Sequence, residues 1–326
     1  MHLLPRSRST FLITIDTVLE PFMSRFCLTL ALILTVHLGT SSFVMAADEA
    51  TSTRILFLTQ SQGFVHGSVK RDPEQAGKLA PAEVAMIQLG QQSGLFTCDC
   101  TQDAAADFTK DNLQNYDIVA FYTTGELPIA DADRDYFVDE WLKEKGHGWI
   151  GFHSAADTYR TDNPEHSWYW DICGGTFIGH PWGSGSNVTL AVHDPDHPLA
   201  KPFGTEFKIQ DEIYMYSHFK PENVRVLMSI DYAGSPTGGT VNAEFGFHVP
   251  VAWVRSWGEG KIYFNNLGHR EETWTNPAFL ESIATSVKWI RGDIEGSTEP
   301  NPVVSAKWEA KSRKDARKHD FKVEND

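Results

Sequence analysis

The sequence predicts an α/β fold: a mostly parallel sheet with helices on both faces and extra β segments in the second half. Three observations carry this expectation. Nearly all-apolar bursts at residues 54–59, 116–122 and 148–152 are too apolar to have a wet face, as in parallel sheets covered on both sides. Helix-patterned segments separate those bursts. The run GWIGFHSAAD at 148–157 breaks from a buried strand into small and polar residues. Open α/β sheets hold their ligands at such turns, outside the carboxyl ends of the strands.

Taken in order, residues 1–46 read as a secretory leader. Arg25 is followed by an apolar run over 26–38 and by Val44-Met45-Ala46, a small-x-Ala cleavage pattern, with Met23 as an alternative start. The run falls short of the roughly 20 residues that span a bilayer, so no membrane span is expected. The mature chain is expected to be exported, to the periplasm or the medium. The domain then occupies 47–292. Its first strand, 54–59, leads into a glycine-bearing loop carrying His66. Residues 80–93 read as a helix with Val84, Ile87 and Leu89 apolar and Gly94 as its stop. Strands follow at 95–100 and 116–122, then a helix over 131–145 with Tyr136, Phe137 and Trp141 on one face, then the 148–152 strand.

The second half changes character. Short strand-like runs lie at 187–192, 207–209, 224–230, 251–256 and 261–265, the last two joined by a tight hairpin at Gly258-Glu259-Gly260. A helix over 277–291 closes the domain, with Phe279, Leu280, Ile283, Val287 and Ile290 apolar. The charged tail 293–326 reads as flexible or as a surface helix.

The net charge is −15, and one unit more negative without the leader. So acidic a surface disfavours nucleic acid and anionic lipid, and it accommodates neutral sugars or metal ions. No sequence feature calls for a nucleotide cofactor. The mature chain keeps Cys98, Cys100 and Cys173, an odd number, and the first two are too close on one strand to bridge comfortably, so this is not a disulfide scaffold.

Four histidines each follow an apolar strand or a glycine turn: His66 in GFVHG, His153 in GFHSA, His180 in GGTFIGHP and His269 in NNLGHREETW. With Asp211 and Glu212 in QDEIYMY they are expected to share a pocket, as acid–base groups or as ligands of a divalent metal such as zinc. No local HExxH signature is present, so the metal rests on convergence in space. His193 and His197 in VHDPDHP are spaced like a ligand pair, but Pro195 and Pro198 favour a rigid turn. Ser154 faintly echoes a nucleophile elbow without its glycines, and no base for it can be assigned. Cys173 reads as a small buried residue. Trp182 and Trp274 belong to an aromatic density that suits sugar rings, although core packing accounts for many such residues.

At these residues the chain resembles the ThuA-like family, related to trehalose utilisation proteins and built on the class I glutamine amidotransferase fold. The likeness runs from about 54 to 292 and rests on GFVHGS, GFHSAADT, GGTFIGHP, DPDHPL, DEIYMY, PVAW and GEGKIYFNNLGH with Trp274. Val65 and Gly67, flanking His66, depart from the family's frequent arginine and acid. The resemblance implies a flavodoxin-like sheet with a pocket at its carboxyl edge. It does not imply amidotransfer, because the elbow carries His153 and Ser154 where that reaction needs a cysteine thiolate. It implies carbohydrate catabolism, with a small-molecule carbohydrate as partner: an enzyme cleaving or isomerising a keto-sugar or 3-keto-glycoside. His153 and His66 would act as base and ligand, with His180, His269, Asp211 and Glu212 as ligands or positioning groups. The alternative is a non-catalytic carbohydrate-binding module or scaffold on the same fold. A homo-oligomer is compatible with either.

Overall fold

The computed structural model describes residues 52–325 except 76, 161 and 162; the leader expected at 1–46 lies outside the described residues. The first strand, β1 (Thr53–Leu58), is buried at all but one position, as its apolar run requires. Helix α1 (Pro81–Ser93) stops at Gly94, which takes the left-handed conformation that favours glycine. Its buried face is Ala82, Glu83, Met86 and Gly90, while Val84 points outward. Glu83 takes an apolar position because Arg71 pairs with it and Thr59 donates a hydrogen bond to it. Strand β2 (Phe96–Thr101), the short helices α2 (Ala104–Asp107) and α3 (Lys110–Leu113), and the fully buried β3 (Ile118–Phe121) follow. Helix α4 (Asp131–Asp139) is shorter than its pattern suggests. The chain leaves helical geometry at Glu140, and a single 3-10 turn keeps Trp141 stacked on Phe137 at 5.6 Å.

Strand β4 (Gly148–Phe152) is the GWIGF run, buried throughout. Its glycines are there for contact. A Cβ at Gly148 would come within 2.7 Å of the Ile290 side chain, and one at Gly151 within 2.2 Å of the Trp149 ring. Helix α5 (Ser167–Cys173) then leads into β5 (Thr176–Trp182), β6 (Asn187–Val192), β7 (Glu206–Gln210), β8 (Ile213–Ser217), β9 (Arg225–Ile230), β10 (Thr240–Asn242), β11 (Pro250–Trp257) and β12 (Gly260–Asn265). Helix α6 (Pro277–Arg291) buries the apolar face expected of it, with Leu280 at its half-buried margin. The tail is ordered: α7 (Pro302–Lys318) buries Ser305, Ser312 and Ala316, and β13 (Lys322–Glu324) pairs with β10.

The main sheet has 9 strands in the order β2-β1-β3-β4-β12-β11-β9-β6-β7. From β2 to β12 all pairings are parallel, and from β12 onward all are antiparallel. The extra β segments of the second half therefore extend one α/β sheet sideways. Two of them, β5 and β8, leave it and form their own antiparallel ribbon. Apolar clusters cover both faces of the sheet, one including Phe57, Ile150 and Ile283 and the other Phe121, Trp149 and Phe264. Cys98, Cys100 and Cys173 are free thiols.

Candidate functional site

Three parallel strands deliver histidines to one edge. His66 lies in the loop after β1, His153 directly follows β4, and His269 follows β12. Because β12 runs parallel to β4, its carboxyl end falls beside the other two. Glu212, just before β8, is the fourth member. One nitrogen of each histidine and one oxygen of Glu212 all lie within 4.8 Å of one another. Glu212 Oε2 is 3.0 Å from His269 Nδ1 and 3.5 Å from His153 Nε2, and those nitrogens are 3.2 Å apart. The His66 ring sits 5.0 Å from both other rings, edge to face.

His153 and His66 are each held by a partner outside the cluster. His153 has a φ of +40°, a left-handed turn that costs a non-glycine residue about 1–3 kcal/mol. Its Nδ1 lies 2.8 Å from the Asn266 carbonyl. As the donor in that bond, Nδ1 leaves Nε2 as the nitrogen that faces Glu212 and His269. His66 is buried; its Nε2 meets the Tyr214 hydroxyl at 3.2 Å, and its Nδ1 has no partner. Burial, together with the neighbouring His153 and His269, pushes the His66 pKa down to about 2, so the ring is neutral near pH 7. Burial alone would raise the Glu212 pKa, but hydrogen bonds from His153 and His269 outweigh it and hold the carboxyl well below its usual range. The result is three imidazoles around an ionised carboxylate, a donor set that suits zinc or another transition ion.

Asp211 has a different task. Fully buried, it accepts from the backbone N–H of Gly268 (2.8 Å), Arg270 (3.1 Å) and Glu212 (3.0 Å), and from the Thr273 hydroxyl (2.8 Å). It thereby fixes the loop that carries His269. Tyr122 and Trp274 both donate to the Gly268 carbonyl, and Ser68 donates to that of His269. Successive residues of an extended chain face opposite ways, which sends Asp211 into the loop and Glu212 to the histidines.

The other expected site residues divide. His180 belongs to the site but stands at its rim: Nδ1 is 3.5 Å from Glu212 Oε1, and the side chain is half exposed. Ser154 is fully buried and its hydroxyl meets no hydrogen-bond partner, so it lacks the base that a nucleophile needs. Trp182 is a core residue with its indole N–H on the Ser235 carbonyl, and it presents no face to a ligand. Trp274 is likewise buried, packed on Phe152 and Phe279, and acts on the site through Gly268. It also borders a separate cavity of about 550 Å³ near Lys70 and Glu271, which the histidines do not line. Sequence reasoning missed Tyr214 and Asn266. Tyr214 is two residues from Glu212, the spacing that returns to the same side of a strand. Asn266 clamps the Tyr214 backbone through its side-chain amide and has no comparable sequence signal.

Among the described residues no helix is long and apolar enough to cross a membrane. No curated relative matches the chain. Solved structures of ThuA-like proteins share its fold. One from Bacteroides uniformis has a TM-score of 0.52 and 21% identity, over 75% of this chain and 94% of that one. One from Parabacteroides merdae has a TM-score of 0.52 and 15% identity, over 77% and 94%. The family model for ThuA, trehalose utilisation, matches residues 54–290, which takes in every residue of the histidine–glutamate site. The chain belongs to the ThuA family.

Proposed function

We propose that the protein is a carbohydrate-active enzyme, acting on a keto-sugar or 3-keto-glycoside by histidine acid–base chemistry at a centre built to hold a divalent ion. The observation that carries this reading is the convergence of His66, His153, His269 and Glu212, with His153 held by the Asn266 carbonyl, His66 by Tyr214 and the His269 loop by Asp211. These four residues would hold the ion; when bound, it supplies charge stabilisation for a substrate oxygen that becomes negative. His180, at the exposed rim, is the residue free to exchange a proton with a bound sugar. A ketone at C3 of a pyranoside acidifies the C2–H bond. His180 takes that proton, the electron pair forms the C1–C2 double bond, and the C1–O glycosidic bond breaks. The departing oxygen then takes up a proton and leaves as an alcohol. Burial and the Glu212 charge push the Tyr214 hydroxyl far up, so it stays a phenol and an O–H donor beside His66. The expected leader makes this an exported activity.

The test is turnover of methyl 3-keto-glucoside followed by NMR, before and after chelation and after zinc is returned. Loss on chelation with recovery on zinc is the expected result. Full activity in protein shown to be metal-free removes the ion from the reading. Sugar binding with no product over long incubation points instead to a carbohydrate-binding module.

A further inference from the structure

Phe177 on β5 joins the site to a second cavity. Its ring lies 4.2 Å from that of Tyr214 and is stacked at 5.9 Å and 13° on that of His180. The same side chain lines a cavity of about 360 Å³ together with Arg160, Ile178, Ser217, His218 and Phe245. That volume is within the usual range for small-molecule sites. The Arg160 guanidinium lies over the Phe177 ring at 4.7 Å. Across the cavity Phe245 leaves 37% of its surface to solvent, a large apolar side chain with no core to fill.

The wall that carries Phe245 is built rather than loose. Glu309 on α7 accepts the backbone N–H groups of Phe247 (2.6 Å) and His248 (2.8 Å) with one carboxylate oxygen. Between them and Phe245 lies Gly246, whose φ of +84° favours glycine. Just upstream, β10 is paired along its length with β13. On another wall His218 is stacked on Trp170 at 4.0 Å, and its Nδ1 is 3.1 Å from the Thr176 hydroxyl. Both α7 and β13 lie beyond residue 290, where the family match ends. The chain's own C-terminal segment therefore shapes one side of this cavity.

We propose that the cavity is a second ligand subsite, taking the ring that leaves when the glycoside is cleaved, and that Glu309 is its positioning residue. The proposal rests on the carbohydrate reading above. The chemistry asked of the ligand is a six-membered ring with an apolar face for Phe177 and Phe245 and oxygen acceptors for Arg160. A second hexose and a phenolic ring both meet it.

Unoxidised glycosides separate binding from turnover, because they lack the ketone that the chemistry requires. Calorimetry on the full chain with methyl α-glucoside, trehalose and 4-nitrophenyl α-glucoside should show at least one two-ring ligand binding about tenfold more tightly than the one-ring ligand, a difference of about 1.4 kcal/mol. A preference for trehalose identifies the second ring as a sugar, and a preference for the nitrophenyl compound identifies it as an aryl group. Phe245→Ala, a change at an exposed side chain, should abolish the two-ring advantage and leave methyl α-glucoside affinity unchanged. Glu309→Ala should do the same, with partial recovery in Glu309→Gln, which keeps an acceptor. Equal binding of one-ring and two-ring ligands, or an advantage that survives Phe245→Ala, overturns the subsite alone. If none of the three glycosides binds, the subsite falls, and turnover of methyl 3-keto-glucoside decides the carbohydrate reading separately.

Discussion

Two groups of histidines in this molecule are buried or half-buried, and they differ in what stands between them. At the sheet edge, His66, His153 and His269 surround the carboxylate of Glu212. Beneath α7, His193 and His248 lie 6.2 Å apart, His193 against Trp308 at 4.8 Å and bonded through Nε2 to the Ser229 hydroxyl. The charged neighbour that His193 feels is Lys307, which reinforces the effect of burial and pushes its pKa down to about 4. Burial and His193 push His248 down to about 3. Histidines made neutral by burial are thus common to both regions. A carboxylate at their centre belongs to one. That feature, more than histidine density, distinguishes a chemical site from a packed one.

The sharpest way to break this comparison is to remove one histidine from each group. His153→Ala should lower turnover of a 3-keto-glycoside by about 10²–10⁴-fold and release bound metal, with the circular dichroism spectrum unchanged. His193→Gln should leave turnover unchanged. Equal effects, measured by steady-state kinetics and elemental analysis, would erase the distinction. Asp211→Asn tests the partners behind the ligands. An amide N–H would face donors that need acceptors, so the His269 loop should loosen and metal affinity drop about 10–100-fold. A chelator competition reads that loss.

The packed group should report through stability. The native rings of His193 and His248 stay neutral down to about pH 4 and 3, whereas in the unfolded chain they take up protons near 6.5. Their contribution is complete above pH 6.5 and drains away as pH falls toward the folded values. Urea unfolding at pH 7, 5.5 and 4 should show a loss on the order of 5 kcal/mol, roughly half of which His193→Gln removes. A variant as acid-sensitive as the wild type would place the sensitivity elsewhere. The smallest effect is expected of Trp274→Phe. It removes one of two donors to the Gly268 carbonyl while the Tyr122 hydroxyl remains, so thermal unfolding should register about 1 kcal/mol and turnover should stay within a few-fold.

Much of this architecture is legible in the residue order. The apolar bursts that became β1, β3 and β4 mark the parallel half, and the breaks after β1 and β4 mark where His66 and His153 emerge. The β5–β8 ribbon is not legible in the same way. In TFIGHPW the glycine and proline interrupt any alternation, and the paired strands shift register twice. Yet this ribbon carries His180 and Tyr214 and brings in Glu212, so the sequence offers the site's members without its centre. The tryptophans show the converse limit. A large aromatic ring at 182 or 274 reads alike in a core and in a sugar site, and only the packing around it separates the two. At 211 and 212, adjacent acids look interchangeable until the extended backbone sends them to opposite sides.

The left-handed turn at His153 bears on how such a scaffold acquires new chemistry. The backbone of residue 153, turned left-handed at the end of a buried strand, defines a socket whose direction is set before its side chain is chosen. A thiol, a hydroxyl or an imidazole placed there would project to the same point at the sheet edge. The reaction type can then change by substitution at a single position, with the sheet undisturbed, provided the ring of partners changes with it. In this chain that ring of partners includes Glu212, which immediately precedes a strand of the separate β5–β8 ribbon.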